Sequence, residues 1–222
     1  YRFRNNKNVW GIVVALTKFN YNSFDLTSAA SKGLGFNASA NGFSNVTEGS
    51  ITLIKTLTAS SSSDLTFEDG SSGVVLDSTY PTYMFKIVSL HVSDDAANLN
   101  LNFRDGGSSY DAVKTTSYME SYHSEDDSST ATQRNDGRNR GASTDVQVLG
   151  QNITNDNDGS VSGTVYLFNP GSTTFQKHFY SIINYYETNN KTENVFVSGY
   201  CDHASAIDGV KFTPSAGTFD TG

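Results

Sequence analysis

The chain has 222 residues, of which 36% are hydrophobic, 17% are charged and 12% are aromatic, and its formal net charge is −8. This length fits one large domain, or one domain with an extra segment. The acidic balance argues against a nucleic-acid-binding protein, because phosphate recognition needs clustered Lys and Arg. No apolar run reaches the roughly 18 residues of a membrane-spanning helix, and the single cysteine, Cys201, excludes an internal disulfide.

Residues 1–50 differ in composition from the rest of the chain. Arg2, Arg4 and Lys7 open a basic, Asn-rich stretch, and residues 28–50 are rich in Ser, Ala, Gly and Asn. Such a segment is typical either of an extended arm lying on a neighbouring molecule or of an irregular cover over one end of a domain. The sequence predicts an N-terminal anchoring arm in which Arg2, Arg4 and Lys7 pair with acidic surfaces of a partner.

From Ile51 onward the pattern predicts strand after strand and no helix. Ser, Thr, Asn and Gly are abundant here, and they are poor helix formers. Tyr83 to Val92 is apolar on both sides, as in a central strand, whereas Leu99, Leu101 and Phe103 alternate with polar residues as in a half-buried strand. The other predicted strands are 51–58, 65–68, 115–123, 145–149, 163–169, 177–187, 195–200 and 207–212.

Turn-forming clusters separate these strands, for example Asp105-Gly106-Gly107 and Asn169-Pro170-Gly171. About ten strands at this spacing predict an all-β fold: an antiparallel β-sandwich, jelly-roll-like, over residues 51–222. The last segment, Pro214 to Gly222, contains turn residues and one aromatic residue. A further closing strand is expected where the chain stops. Its absence would leave an open sheet edge, which predicts either that the chain is incomplete or that a partner supplies the cover.

The sequence contains no catalytic signature, and we predict no catalytic residue, metal ligand or cofactor. Asp156-Asn157-Asp158-Gly159 resembles part of a calcium loop but is equally typical of a β-turn. Cys201 and His203 have the spacing of two metal ligands on one strand face, but two ligands do not complete a site. Spacing also leaves open a nucleophilic triad of Cys201, His178 and an Asp.

Tyrosines next to Asn and Asp provide the strongest binding signal. Tyr180, Tyr185 and Tyr186 lie in the segment KHFYSIINYYE. A tyrosine ring stacks on the C–H groups of a sugar while neighbouring amides bond its hydroxyls. The same residues equally fit a core or an interface in which each hydroxyl has a partner. They are therefore candidate glycan contacts.

Several blocks in residues 51–222 resemble one family. The blocks are LTASSSSDLTFEDG from residue 57, LDSTYPTYMFKIVSLHVSDDAANLNLNFRDGGSSYD from residue 76, LFNPGSTTFQKHFYS from residue 167 and SGYCDHASAIDGVKFTPSAGTFDTG from residue 198. In order and spacing they resemble virion-associated structural proteins of marine tailed bacteriophages, of the decoration, fibre or knob type. The first 50 residues do not share the resemblance.

The resemblance implies a β-sandwich in a phage virion and supplies no catalytic residues. We expect a non-enzymatic structural component, such as a capsid decoration, fibre or tail-associated protein, displayed on the particle exterior. Its expected partners are other virion proteins and copies of itself, with a trimer as the expected assembly and with no nucleic acid and no membrane. The alternative is a carbohydrate-binding tail or fibre module that recognises host surface glycans, and a further alternative is a depolymerase.

Overall fold

A computed structural model of the chain describes residues 33–36, 43–46 and 51–222. The chain divides into two compact units, Tyr1–Thr52 and Leu53–Gly222. Arg2, Arg4 and Lys7 lie outside the described residues. In the first unit, β1 (Gly33–Phe36) and β2 (Phe43–Val46) form an antiparallel pair in which Phe36 lies opposite Phe43. The two rings stack with their centroids 5.2 Å apart.

The described part of the second unit is built from strands, with a single 3-10 turn at Asp136–Arg138 and no α-helix. Eleven strands follow one another along the chain: β3 (Leu65–Glu68), β4 (Thr82–Val92), β5 (Ala97–Arg104), β6 (Lys114–Ser124), β7 (Thr130–Arg134), β8 (Gln147–Ile153), β9 (Val161–Phe168), β10 (Lys177–Glu187), β11 (Lys191–Cys201), β12 (Gly209–Pro214) and β13 (Phe219–Thr221).

These strands form one antiparallel sheet that curls into two layers. One layer has the order β13-β4-β9-β10-β11-β6-β7, and the other has the order β8-β5-β12-β3. A single residue pair, Glu187 with Ile153, joins β10 to β8 where one layer passes into the other. This architecture confirms the predicted all-β, jelly-roll-like sandwich.

Rings from the two layers pack against each other in the core. Phe103 of β5 contacts Phe179 of β10 with ring centroids 4.9 Å apart, and Phe85 of β4 contacts both Phe67 of β3 and Phe212 of β12. Burying such a ring stabilises the fold by about 2–3 kcal/mol. The core therefore lies between the inward faces of the two layers.

Three local predictions are wrong. Residues 51–58 form no strand, and Ile51 and Leu53 are exposed. The segment Pro214 to Gly222, which the sequence predicts as turn, contains β13, which pairs with β4 and is hydrogen-bonded on its other side by Ser62. Strand β7 was not predicted, because its sequence TATQR is polar and mostly exposed. The sheet edge beside β4 is thus covered by segments of this chain.

Strand β4 has a bulge that changes which residues face inward. Tyr83, Phe85 and Ile87 point into the core, but the register against β9 then shifts between Ile87 and Leu90. Beyond this shift Leu90 and Val92 are the buried residues, so the strand does not keep the two continuous faces that its alternation predicts. Ser89 makes the shift by adopting a φ of 49°, in the left-handed region.

Strand β5 also departs from its prediction. Leu99, Leu101 and Phe103 are fully buried, as expected. Asn100, Asn102 and Arg104 on the other face are at most 9% exposed, so the strand is buried on both sides. Arg104 forms ion pairs with Glu68 on β3 and with Asp208, which precedes β12. The polar face of β5 is therefore part of the packed interior of its layer.

The bulge leads to a prediction about Ser89. We expect Ser89→Gly to raise the free energy of unfolding by about 1 kcal/mol, because left-handed backbone costs a residue with a Cβ atom about 1–2 kcal/mol. Ser89→Val should lower it by a similar amount. Urea unfolding measures both changes. At Ser117, an exposed strand position without positive φ, Gly should instead be destabilising. If Gly changed the free energy of unfolding in the same direction at Ser89 and at Ser117, this account of the bulge would be contradicted.

Candidate interaction surface

The outward face of five adjacent strands, β4, β9, β10, β11 and β6, carries many apolar side chains. We call this surface the aromatic face. Large hydrophobic residues that are between 38% and 58% exposed are spread across it: Met84, Val88, Met119, Ile182 and Phe196. Tyr166, Phe168 and Tyr180 lie among them and are half-buried. An apolar cluster of this kind on a sheet face marks a candidate interaction surface.

Strand register places six of these eight residues in two neighbouring rows. One row runs from Met84 through Tyr166 to Tyr180, and the next contains Ile182, Phe196 and Met119. A third row, formed by hydroxyl and amide residues, lies beside the second row: Ser162, Asn184, Asn194 and Ser121. The aromatic face thus has an apolar centre and a polar margin.

The rings of the aromatic face stand upright on the sheet. The Tyr166 and Tyr180 centroids are 4.9 Å apart with an interplanar angle of 25°, and those of Tyr180 and Phe196 are 6.1 Å apart with an angle of 27°. Adjacent strands are about 4.8 Å apart, so rings at this separation lie side by side with their faces turned toward each other. Ring edges, and not ring faces, are therefore presented to solvent.

Carboxylates lie on the other side of these five strands. Their three glutamates, Glu120, Glu187 and Glu193, all point inward and are at most 4% exposed. None of the outward residues in the described strands β4, β9, β10, β11 and β6 is Asp or Glu. Lys86 on β4 is exposed on the aromatic face, and Arg134 on the neighbouring strand β7 is paired with Asp136 at 2.6 Å. In a chain of net charge −8, the outward strand residues of this face carry no negative charge.

The inward glutamates line a polar cleft of about 250 Å³ at one end of the core. Glu120 accepts hydrogen bonds from Gln133 at 2.7 Å and Gln151 at 3.1 Å, and Glu187 accepts several from Asn189. One oxygen of Glu193, Oε1, has no hydrogen-bond partner. Burial, with the nearby Glu120 carboxylate, raises the pKa of Glu193 to about 7, although a hydrogen bond with Tyr185 opposes the shift.

Two buried lysines lie at the opposite end of the core. Lys114 of β6 and Lys177 of β10 both lie across from Cys201 of β11, and all three are fully buried. The Lys114 ammonium donates to the Asp145 carbonyl at 2.7 Å, and Lys177 donates to the carbonyls of Ser172 and His203. Burial lowers the pKa of Lys114 to about 8 and raises the pKa of Cys201 to about 12.

The three candidate glycan contacts are separated by the fold. Tyr180 belongs to the aromatic face, where the rings of Tyr166 and Phe196 flank it. Tyr185 is 2% exposed in the core, and its hydroxyl accepts a hydrogen bond from the Gln151 backbone, so it has no surface for a ligand. Tyr186 points outward, and its hydroxyl donates to Asn190. Alternation along β10 separates neighbouring residues that sequence reasoning grouped together.

The arrangements that spacing left open are not assembled. Cys201 ends β11 and is buried, whereas His203 lies in the exposed bend that follows, so the two do not share a strand face. His178 is on the outward face of β10, opposite to the buried Cys201 thiol. Asp156 to Gly159 form a turn closed by a 2.7 Å hydrogen bond from the Gly159 amide to the Asp156 carbonyl. Among residues 33–36, 43–46 and 51–222, no three His, Cys, Asp or Glu side chains are placed to hold a metal ion.

Comparison with protein-family models, with curated proteins and with solved structures found no match to this chain. Within the described residues, no helix has the length and apolar character needed to cross a membrane.

The raised pKa of Glu193 predicts a pH dependence of stability. Between pH 4.5 and about 7 the folded chain holds a proton on Glu193 that the unfolded chain has lost, so the free energy of unfolding falls as the pH rises through this range. Glu193→Gln should remove this fall. The free energy of unfolding of this variant should exceed that of wild type by roughly 1–3 kcal/mol between about pH 5 and about pH 8. Urea unfolding at several pH values measures the gain. Glu125→Gln, in an exposed loop, is the control and should leave the slope unchanged.

The burial of Cys201 predicts that its thiol is inert in the folded protein. A chromogenic disulfide reagent at about pH 8 should label the native chain at least about 100-fold more slowly than the chain in guanidinium chloride, because the thiolate is both rare and inaccessible. Absorbance of the released thiolate follows the reaction. Rapid stoichiometric labelling of the native protein would contradict the buried position of Cys201 beside Lys114 and Lys177.

Proposed function

We propose that this chain is a non-enzymatic structural subunit of a phage particle that acts through protein–protein contacts. The observation that carries the proposal is the aromatic face, which is broad, apolar at its centre and free of carboxylates in an acidic chain. Protein interfaces have an apolar, charge-depleted centre and a polar margin, and this face has both. The resemblance of residues 51–222 to virion-associated proteins supports the placement in a particle.

The sandwich supports an outward position on the particle. Its loops are rich in Asp, Ser and Asn, which keep an exposed surface hydrated. The basic residues Arg2, Arg4 and Lys7 support anchoring of the first 50 residues to an acidic surface of another subunit. In this proposal the arm holds the chain on the particle exterior, and the sandwich makes the lateral contacts.

Recognition of host glycans is the second candidate function. The exposed amides of Asn189 and Asn190 beside Tyr186 favour it, because amides can bond sugar hydroxyls. The ring geometry of the aromatic face favours protein contact instead, since the faces of Tyr166 and Tyr180 are turned toward each other and a stacked sugar needs a free ring face.

The proposal predicts that the chain is a stoichiometric component of purified particles. Mass spectrometry of density-purified particles of the phage that encodes it should detect the chain in many copies, and antibody labelling should decorate intact particles. Replacing Arg2, Arg4 and Lys7 with Ser should lower the copy number, because the anchoring charges are lost. Detection in infected-cell lysate but not in particles would overturn the proposal.

A glycan array with the purified chain separates the two candidates. Binding that Tyr186→Ala or Tyr180→Ala removes would favour glycan recognition. No binding, together with incorporation into particles, is the expected result.

A further inference from the structure

We infer that the aromatic face is the contact surface between two copies of this chain, which pack face to face through the outward residues of β4, β9, β10, β11 and β6. This inference rests on the proposed role in protein–protein contact and names the partner. Four observations carry it: the extent of the face, the arrangement of its apolar residues, its charge and the shortage of free cations on it.

The aromatic face is large enough for a stable interface. Five strands spaced about 4.8 Å apart give a width of about 24 Å, and strands of 8 to 11 residues at about 3.3 Å each give a length of about 26–36 Å. The product, about 600–850 Å², is close to the roughly 800 Å² that each partner contributes to a standard protein interface.

The apolar residues lie where such an interface needs them. Ile182, Phe196 and Met119 form one continuous row at the centre, and the Tyr166 and Tyr180 edges project from the row beside it. The stacked rings fill the space between neighbouring strands, so the side chains of a facing sheet would pack between one row and the next. Sheets that pack face to face interdigitate in this manner.

Charge favours a second copy as the occupant. The chain carries a net charge of −8, so most approaches of two copies bring carboxylates together. The aromatic face avoids this, because all the glutamates of its five strands point inward. The other layer does not offer the same property, since Glu68 and Asp208 lie with Arg104 along its β3, β5 and β12 strands.

An acidic partner of a different kind fits the face less well. It would have to pair with cations, and Arg134 is already paired with Asp136. Of the lysines on the five strands, Lys114, Lys177 and Lys191 belong to the buried ends and the cleft, which leaves Lys86 alone on the exposed face. One free cation is too little for charge-based recognition, whereas self-association needs none.

The first experiment measures the mass of the full chain in solution. Sedimentation velocity from about 1 to about 100 µM, a range that detects micromolar association, should show a dimer of the 24.0 kDa chain. Ile182→Glu and Phe196→Glu should each weaken association at least about 100-fold, because the symmetric contact would bury a carboxylate from each copy. Phe175→Glu is the matched control: Phe175 is 69% exposed in the loop between β9 and β10 and is not one of the outward strand residues, so its substitution should leave the dimer intact.

A second experiment uses the unaltered chain and does not depend on whether a variant folds. The only two methionines of the chain, Met84 and Met119, both lie on the aromatic face, 42% and 44% exposed. Oxidation by hydrogen peroxide should be about fivefold slower or more at the concentration that gives dimers than at the one that gives monomers, because the thioethers become covered. Peptide mass spectrometry quantifies each sulfoxide.

The outcomes separate this inference from the proposed function. A chain that stays monomeric at the highest concentration, or a dimer whose methionines oxidise at the monomer rate, overturns the inference. Dimers that Phe175→Glu disrupts and Ile182→Glu does not would place the contact elsewhere and also overturn it. A chain that is monomeric in solution but present in particles would overturn the dimer and leave the proposed function intact. A face-to-face dimer that is absent from particles would support the dimer and overturn the proposed function.

Discussion

The packing of β10 and β11 against the four-stranded layer is the constraint on which the rest of the structure depends. Phe179 meets Phe103 across the core, and Ile183, Val195 and Val197 are fully buried beside it. Side chains of a strand alternate between its two faces, so the intervening residues Tyr180, Ile182 and Phe196 have to point outward. The aromatic face is thus a direct consequence of how the core is filled, in strands that are apolar on both sides.

The same alternation brings charged groups into the interior. Glu120, Glu187 and Glu193 are carried inward at one end of the core, and Lys114 and Lys177 at the other. The lysines each donate to two backbone carbonyls, and most of the carboxylate oxygens accept bonds from side-chain amides. A proton retained on Glu193 lowers the cost of placing three acids together, because like charges in a buried site cannot all ionise freely. The polar ends of the core and the apolar exterior therefore both follow from the alternation of side chains along the same strands.

Face and edge have different functions in this sandwich. The edge beside β4 is covered by β13 and by the backbone of residues 59–62, which removes a site for uncontrolled strand pairing. Within the second unit, no segment covers the broad aromatic face. A protein that covers an edge and leaves a wide apolar face open is suited to specific face-to-face contact, which agrees with a structural subunit that meets its own copies.

The sequence by itself determined the fold class, the positions of most strands from Leu65 to Pro214 and the turns between them, because alternation, turn residues and the lack of helix formers are local signals. The tertiary structure alone decided that Tyr185 is buried while Tyr186 is not, that Ser89 reverses the inward side of β4, and that the polar side of β5 is buried. It also decided that Phe219 to Thr221 form a strand and that residues 51–58 do not. Alternation shows that a strand has two faces, but the partner layer, distant in sequence, selects which of them is inside.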